Sequence, residues 1–153
     1  MARVNIRLPE LFAFSTEITL YQSHMNYGGH LDNALLLGVV SEARVRFLKA
    51  LGHTELSVEG GGIIVSDAAL QYRSEAFHGE VMVVSMGATD LARKAFDLVW
   101  CMKELLTQRE VARGKTGIVF YDYATRKVAP IPATFRQQLE GFQHPLLGPP
   151  ELE

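Results

Sequence analysis

The sequence has little of what several large classes of protein require. It contains a single cysteine, Cys101, which excludes an intrachain disulfide and a zinc site built on several thiolates. Its formal net charge is only −2, whereas a nucleic-acid-binding domain usually carries a basic excess. The longest apolar stretch, 31–51, includes charged side chains that a lipid-exposed span tolerates poorly. No apolar run follows the N-terminus, so we expect a cytoplasmic chain that binds neither nucleic acid nor membrane.

The sequence does contain enough apolar material for one core. Hydrophobic residues make up 48% and charged residues 21% of the 153, which is typical of a globular chain and excludes one that is mainly disordered. We find no repeat, low-complexity tract or linker, and therefore predict a single domain over 1–153. Its core should span about 12–132. The remainder, 133–153, should hold a short helix at 134–142 and a loose tail.

One long helix dominates the first half of the sequence. Residues 12–22 alternate as a first strand, and a loop with two adjacent glycines follows at 23–30. Asp32 or Asn33 can cap a helix that runs from about 33 to 51. Its apolar residues cover most of the circumference, so we expect it to be enclosed. Gly38 in its middle costs roughly 1 kcal/mol relative to alanine, which predicts a close neighbour there.

The second half changes to the period-two pattern of strands. We predict strands at 63–73, 80–89, 95–107 and 111–123. Their connections are too short for parallel crossovers, so the strands should form antiparallel hairpins. The predicted class is α+β, with one curved antiparallel sheet wrapped around the apolar helix.

Three stretches resemble a known family in their order and spacing. They are 26–34 (NYGGHLDNA), 41–44 (SEAR) with Leu51 and Gly52 beyond it, and 120–132 (FYDYATRKVAPIP). Together they are similar to the hotdog fold, in its 4-hydroxybenzoyl-CoA thioesterase-like branch, over about 14–132. The resemblance implies hydrolysis of a small or medium acyl-CoA thioester, with coenzyme A present only as part of the substrate and no other cofactor. It also implies a homodimer or a dimer of dimers, with active sites between subunits.

The resemblance implies an oxyanion hole at the start of the helix. Gly28, Gly29 and His30 occupy the matching place, where the Gly29 and His30 amides would hold the oxyanion with help from the helix dipole. A plain glycine turn is the alternative. Asn26 stands where the family usually has its catalytic aspartate. Asparagine cannot act as a nucleophile or base, but it can orient a water or hydrogen-bond the thioester carbonyl.

Two other carboxylates are candidates for the missing base. Glu42 lies on the helix, near the position that another hotdog branch uses for its catalytic carboxylate, although a salt bridge with Arg46 at i+4 is the alternative. Asp32 is a second candidate, with helix capping as its competing role. His30 can bond the substrate or position the loop. His24 occupies the place of another acidic residue in many relatives, and no metal site is expected.

The same resemblance suggests substrate-binding residues beside this loop. Tyr27 and Gly28 belong to the loop itself, and Tyr72 with Arg73 could line the edge of the acyl pocket or only pack between strands. Three cations are candidates for the phosphates of coenzyme A, or are solvated surface charges: Arg93, Lys94 and Lys115. Trp100 and Cys101 fit the core.

Two other functions remain open at this point. Asn26 favours a hotdog protein that binds acyl-CoA without hydrolysing it. His30 and Glu42 could mimic the histidine–carboxylate pair of a hotdog dehydratase or hydratase. The sequence also leaves open the acyl group and the choice between coenzyme A and an acyl carrier protein.

Overall fold

An antiparallel sheet curves around one helix in the computed structural model, which describes residues 2–141. The strands are β1 Phe14–Thr19, β2 Gly62–Tyr72, β3 Val81–Thr89, β4 Ala95–Glu104, β5 Glu110–Asp122 and β6 Lys127–Val128. The helices are α1 Leu36–Ala50 and α2 Ala133–Glu140. This is the predicted α+β hotdog architecture.

The sheet has the order β1-β3-β4-β5-β2, and every pairing is antiparallel. The strands after the helix therefore form as the short connections predict. The two-residue strand β6 pairs with the end of β5 and has no counterpart in the sequence prediction. β1 and β2 are the two edges, so each leaves one side of its backbone unpaired within the chain.

The core lies between α1 and the inner face of the sheet. Strands β3 and β4 send alternate side chains inward, because side chains alternate between the two faces of a strand. Phe47 and Leu48 of α1 are fully buried among them, and Phe47 meets Phe14 of β1 edge to face at 5.4 Å. Trp100 and Cys101 are buried as expected.

The helix is not enclosed on all sides within one chain, which corrects the prediction made from its apolar circumference. Leu35, Leu37 and Val45 remain 43%, 36% and 44% exposed. Around Gly38, no atom of residues 2–141 outside the neighbouring helix backbone lies within 4 Å of the place a Cβ would take, so these residues do not supply the expected close neighbour. The physical reason is that a single sheet covers only one side of a helix.

The ends of the elements differ slightly from the predictions. The predicted first strand, 12–22, contains the shorter β1 and stops where a 3-10 turn begins at Gln22–His24. The predicted C-terminal helix matches α2, while Phe142 and the predicted loose tail lie outside the described residues. Neither helix in residues 2–141 has the length and apolar character needed to cross a bilayer.

Candidate active site

The loop before α1 is held in a tight turn by its own backbone. The Asn26 amide donates to the carbonyl of His30 at 2.9 Å, and the Gly29 amide donates to the carbonyl of Asn26 at 3.1 Å. Gly29 has a φ of +80°, a left-handed conformation that L side chains rarely adopt. The glycine is therefore required by the turn, and its N–H is already in use.

The Asn26 side chain organises the same loop. Its Oδ1 accepts hydrogen bonds from the Gly28 amide at 2.9 Å and, more weakly, from the His30 amide at 3.4 Å. Because backbone amides only donate, these contacts identify the carbonyl end of the side chain. None of the hydrogen bonds found among residues 2–141 uses Nδ2, so this donor is available to a ligand.

Asp32 caps the turn that leads into α1. Its Oδ1 accepts from the amides of Ala34 at 2.8 Å and Leu35 at 3.1 Å, and its carbonyl accepts from Leu36 at 3.0 Å. The predicted capping role is confirmed, one turn before the helix proper begins. The predicted helix start at Asn33 is wrong for the same reason, since 33–35 form this capped turn.

A short segment after β2, residues 73–77, lies against the loop; we call it the strap. The Leu31 amide donates to the carbonyl of Ala76 at 2.7 Å, and Arg109 donates to the carbonyl of Glu75 at 3.1 Å. Tyr72 donates its hydroxyl to the carbonyl of Asn33 at 2.8 Å, just before the strap begins. The loop and the strap are therefore fixed relative to each other by direct hydrogen bonds.

A pocket of about 420 Å³ opens between the loop, the strap and the start of α1. Its wall combines apolar side chains with polar groups from the loop and the strap. It is lined by Asn26, His30, Leu31, Asn33, Leu36, Tyr72, Arg73, Ser74, Glu75, Ala76 and Val111. Within it, His30 Nε2 lies 3.8 Å from Glu75 Oε1.

The pocket brings together some of the predicted site residues. Asn26, His30 and Tyr72 line it. Gly28 lies close to the His30 ring, since a Cβ there would stand 3.2 Å from Nε2. Tyr27 points away into solvent and is fully exposed. His24 accepts a hydrogen bond from the Tyr21 amide through Nδ1 at 2.9 Å and stacks on the Tyr21 ring, so within the chain it orders the preceding turn.

Glu42 forms the salt bridge that was its alternative role. Its carboxylate lies 2.9 Å from Arg46 Nε. Arg46 in turn donates to Thr16 Oγ1 at 2.9 Å and to the carbonyl of Glu17 at 2.7 Å, which ties α1 to β1. Within the chain Glu42 is therefore outside the pocket and is not paired with His30.

The three predicted phosphate ligands are also outside the pocket. Arg93 and Lys94 lie in the β3–β4 turn, next to the end of β5 that is remote from the pocket. Lys115 Nζ binds Asp67 at 3.1 Å and Asp97 at 3.3 Å on the outer face of the sheet. Burial alone would lower the pKa of Lys115, but the hydrogen bond to Asp67 and the charge of Asp97 raise it above its ordinary value. Its charge is thus already neutralised by two carboxylates.

Cys101 provides no nucleophile. Burial, with the nearby Glu110 carboxylate, raises the pKa of its thiol to about 12, so the thiolate is not formed near neutral pH. Among residues 2–141, no three His, Cys, Asp or Glu side chains converge in a way that could hold a metal ion.

Glu75 and Ser74 are pocket residues that the sequence reasoning missed, whereas Arg73 lines the pocket beside Tyr72. The available signal was the polar pair 74–75 (SE) directly after the predicted strand 63–73. Nothing in the sequence alone says that this run faces the glycine loop.

Comparison with known proteins identifies the family and the fold. The family model of the thioesterase-like superfamily matches residues 21–139, so the chain belongs to that superfamily. Solved structures give the same fold. A 1,4-dihydroxy-2-naphthoyl-CoA thioesterase from Synechocystis has a TM-score of 0.76 at 20% identity, covering 86% of this chain and 98% of its own.

Two further structures from other bacteria are similar. A putative thioesterase from Pseudomonas aeruginosa, PA2801, has a TM-score of 0.76 at 23% identity, covering 84% of this chain and 98% of its own. The probable thioesterase YbaW from Escherichia coli has a TM-score of 0.72 at 21% identity, covering 84% and 97%. No curated protein sequence matches the chain significantly.

Proposed function

We propose that this protein is an acyl-CoA thioesterase that cleaves its substrate in the pocket at the start of α1. One observation carries the proposal: a pocket of about 420 Å³ that joins apolar walls to polar groups of the Asn26–His30 loop, among them the Asn26 Nδ2 that is unused within residues 2–141. That volume lies within the range of small-molecule sites. It suits an aromatic or short aliphatic acyl group together with part of the thiol arm. The Synechocystis neighbour, which acts on an aromatic acyl-CoA, supports this substrate class.

The proposed oxyanion hole differs from the predicted pair of amides. The Gly29 amide already donates to the Asn26 carbonyl, so we replace it with the Asn26 Nδ2 group. The His30 amide keeps its predicted role, because its 3.4 Å contact with Asn26 Oδ1 is long enough to be exchanged for a stronger acceptor. Water adds to the carbonyl carbon of the thioester. The negative charge that forms on the carbonyl oxygen lies beside these two donors, and the C–S bond then breaks.

The reaction is proposed to occur in a cytoplasmic homodimer. Edge strand β2 and the exposed side of α1 are the surfaces that a second copy would cover. In a dimer the cations of one chain, Arg93 and Lys94 among them, can approach the pocket of the other. Their proposed role in binding the coenzyme A phosphates depends on that arrangement.

Thiol release from a panel of acyl-CoAs, aromatic and aliphatic, tests the activity directly. We expect turnover by the wild-type protein on at least one member. Asn26→Ala should lower kcat by about a hundredfold, because removing one oxyanion donor typically costs that much. The control is Arg126→Ala, an exposed change in the β5–β6 turn, which should leave turnover unchanged. No turnover on any member would contradict the proposal.

A non-hydrolytic acyl-CoA-binding protein is the second candidate, and Asn26 is the observation that favours it. In that case the protein binds a non-cleavable thioether analogue by calorimetry and releases no thiol from the matching thioester. Asn26→Asp would then produce a large gain in hydrolysis. Under the first proposal Asn26→Asp lowers turnover, because it removes the Nδ2 donor and adds a charge next to the oxyanion.

A further inference from the structure

The pocket lacks both carboxylates that the sequence offered as a base. Asp32 accepts two backbone amides at the turn before α1, and Glu42, outside the pocket, is bound to Arg46 of α1. The remaining carboxylate on the pocket wall is Glu75. We propose that Glu75, paired with His30, is the general base of the hydrolysis. This inference rests on the proposed thioesterase activity.

The separation of Glu75 and His30 suits a shared water. His30 Nε2 and Glu75 Oε1 are 3.8 Å apart, too far for a direct hydrogen bond. A water lying beside both groups can reach each of them at a distance of about 2.8 Å. The same His30 residue supplies the backbone amide proposed for the oxyanion, so the proposal places the water and the thioester carbonyl on the same residue.

The backbone of Glu75 is fixed, which a base requires. Arg109 donates to its carbonyl at 3.1 Å, and the next residue, Ala76, accepts the Leu31 amide at 2.7 Å. Ser74, on the other side, donates its hydroxyl to the carbonyl of Glu110 at 2.7 Å. The strap thus presents the carboxylate from an anchored backbone, as preorganised catalysis needs.

The nearby arginines are committed to other carboxylates. Arg73 lies 3.2 Å from Glu110, and Arg109 lies 2.9 Å from Glu80. Neither forms an ion pair with Glu75 among the described residues. The carboxylate therefore keeps the free lone pairs that proton transfer demands.

The reaction balances without any added reagent. Glu75 removes a proton from the water as its oxygen bonds to the thioester carbon, and the carbonyl electrons move onto the oxygen held by Asn26 and His30. The tetrahedral intermediate then collapses and the C–S bond breaks, with the electron pair leaving on sulfur. Glu75 returns its proton to that sulfur. The products are a carboxylic acid and free thiol, and Glu75 is again ionised.

The test compares wild type with Glu75→Gln and Glu75→Asp on the best acyl-CoA of the panel. We expect Glu75→Gln to lower kcat by about 10²- to 10³-fold with KM changed less than about threefold. Glu75→Asp should recover part of the rate, because it keeps a carboxylate. Since Glu75 is largely exposed, both variants should melt as the wild type does. Glu17→Gln, on edge strand β1 across the sheet, is the control that should leave kcat unchanged.

The rate of thioester cleavage by hydroxylamine gives a second measurement, which separates loss of a base from a purely structural effect of the substitution. Hydroxylamine attacks thioesters without a base, so Glu75→Gln should lose far less of its hydroxylamine-dependent rate than of its hydrolysis rate. An active wild type with an equally active Glu75→Gln would overturn the role of Glu75 and leave the thioesterase proposal intact. Equal losses in the Gln and Asp variants with a raised KM would indicate a substrate contact and also overturn it. A wild type that cleaves no thioester would refute the thioesterase proposal, and the role of Glu75 with it.

Discussion

Gly28 lies against the His30 ring, where an added methyl group would make contacts tighter than ordinary van der Waals distance. A Cβ at this position would stand 3.2 Å from Asn26 Oδ1 and 3.2 Å from His30 Nε2. Both neighbours belong to the proposed reaction centre, so either displacement disturbs it. We expect Gly28→Ala to lower kcat by about tenfold or more, since small misplacements of reacting groups are costly. Thiol release and a melting curve check this.

The control for that change is Gly141→Ala, after α2, where φ is −66° and the pocket is remote. It should leave turnover unchanged. Full activity in Gly28→Ala would mean that the imidazole position is unimportant to the reaction.

Glu104 shows at the residue scale how a turn depends on pH. Its carboxylate accepts the Thr107 amide at 2.7 Å, the Thr107 hydroxyl at 2.8 Å and the Leu106 amide at 3.0 Å. These bonds, led by the Thr107 amide, lower the pKa of Glu104 below its ordinary value. A carboxyl with a lowered folded-state pKa stabilises the fold above its unfolded pKa, and this contribution is lost as the pH falls through the folded value.

We therefore expect the melting-temperature difference between wild type and Glu104→Gln to be largest near neutral pH and to shrink on acidification. Melting curves from about pH 7 down to pH 3 measure it, spanning the ordinary glutamate range. A difference that stays constant with pH would show that the turn does not depend on the charge of Glu104.

At the scale of elements, α1 shows how far the sequence pattern reaches. Its apolar periodicity predicts the helix and its end near Gly52, but places the start at Asn33, three residues too early. The capped turn formed by 33–35 has the same composition as a first helical turn, so periodicity cannot separate the two.

The position of the strap against the loop was not predicted, for a different reason. Glu75 and His30 are distant in sequence, and the Leu31–Ala76 hydrogen bond together with the antiparallel His30–Phe77 bridge brings them close.

The cap of α1 can be tested by separating charge from hydrogen bonding. Asp32→Ala removes the acceptor of two amides, at Ala34 and Leu35, and should destabilise the fold by about 1 kcal/mol. Asp32→Asn keeps an acceptor oxygen and should cost much less. Urea denaturation measures both free energies of unfolding. If Asp32→Asn kept full stability but lost all thiol release, Asp32 would be a catalytic base and our assignment of Glu75 would be wrong.

At the scale of the whole molecule, the hotdog fold was predictable because local patterns and the three family-like stretches agree. The surroundings of α1 were not predictable from one chain. The sheet covers the side that carries Val39, Ala43 and Phe47, and leaves the side with Leu37, Gly38 and Val45 open. The apolar residues around α1 include some that the chain itself buries and others that a partner would bury. The sequence pattern does not show which residues belong to which group.

The free edge of β2 makes the predicted homodimer testable. Val65 is 45% exposed on this edge, next to a bulge in the β2–β5 pairing. Native edges avoid pairing by carrying charge, so Val65→Lys should weaken edge-to-edge association. Light scattering should give the wild type twice the chain mass of 17.0 kDa, and Val65→Lys a mass closer to that of one chain.

The matched control is Val128→Lys on β6, also 45% exposed but away from the β2 edge, which should stay dimeric. A monomeric wild type that still hydrolyses acyl-CoA would refute a site between subunits and leave the single-chain pocket as the reaction centre.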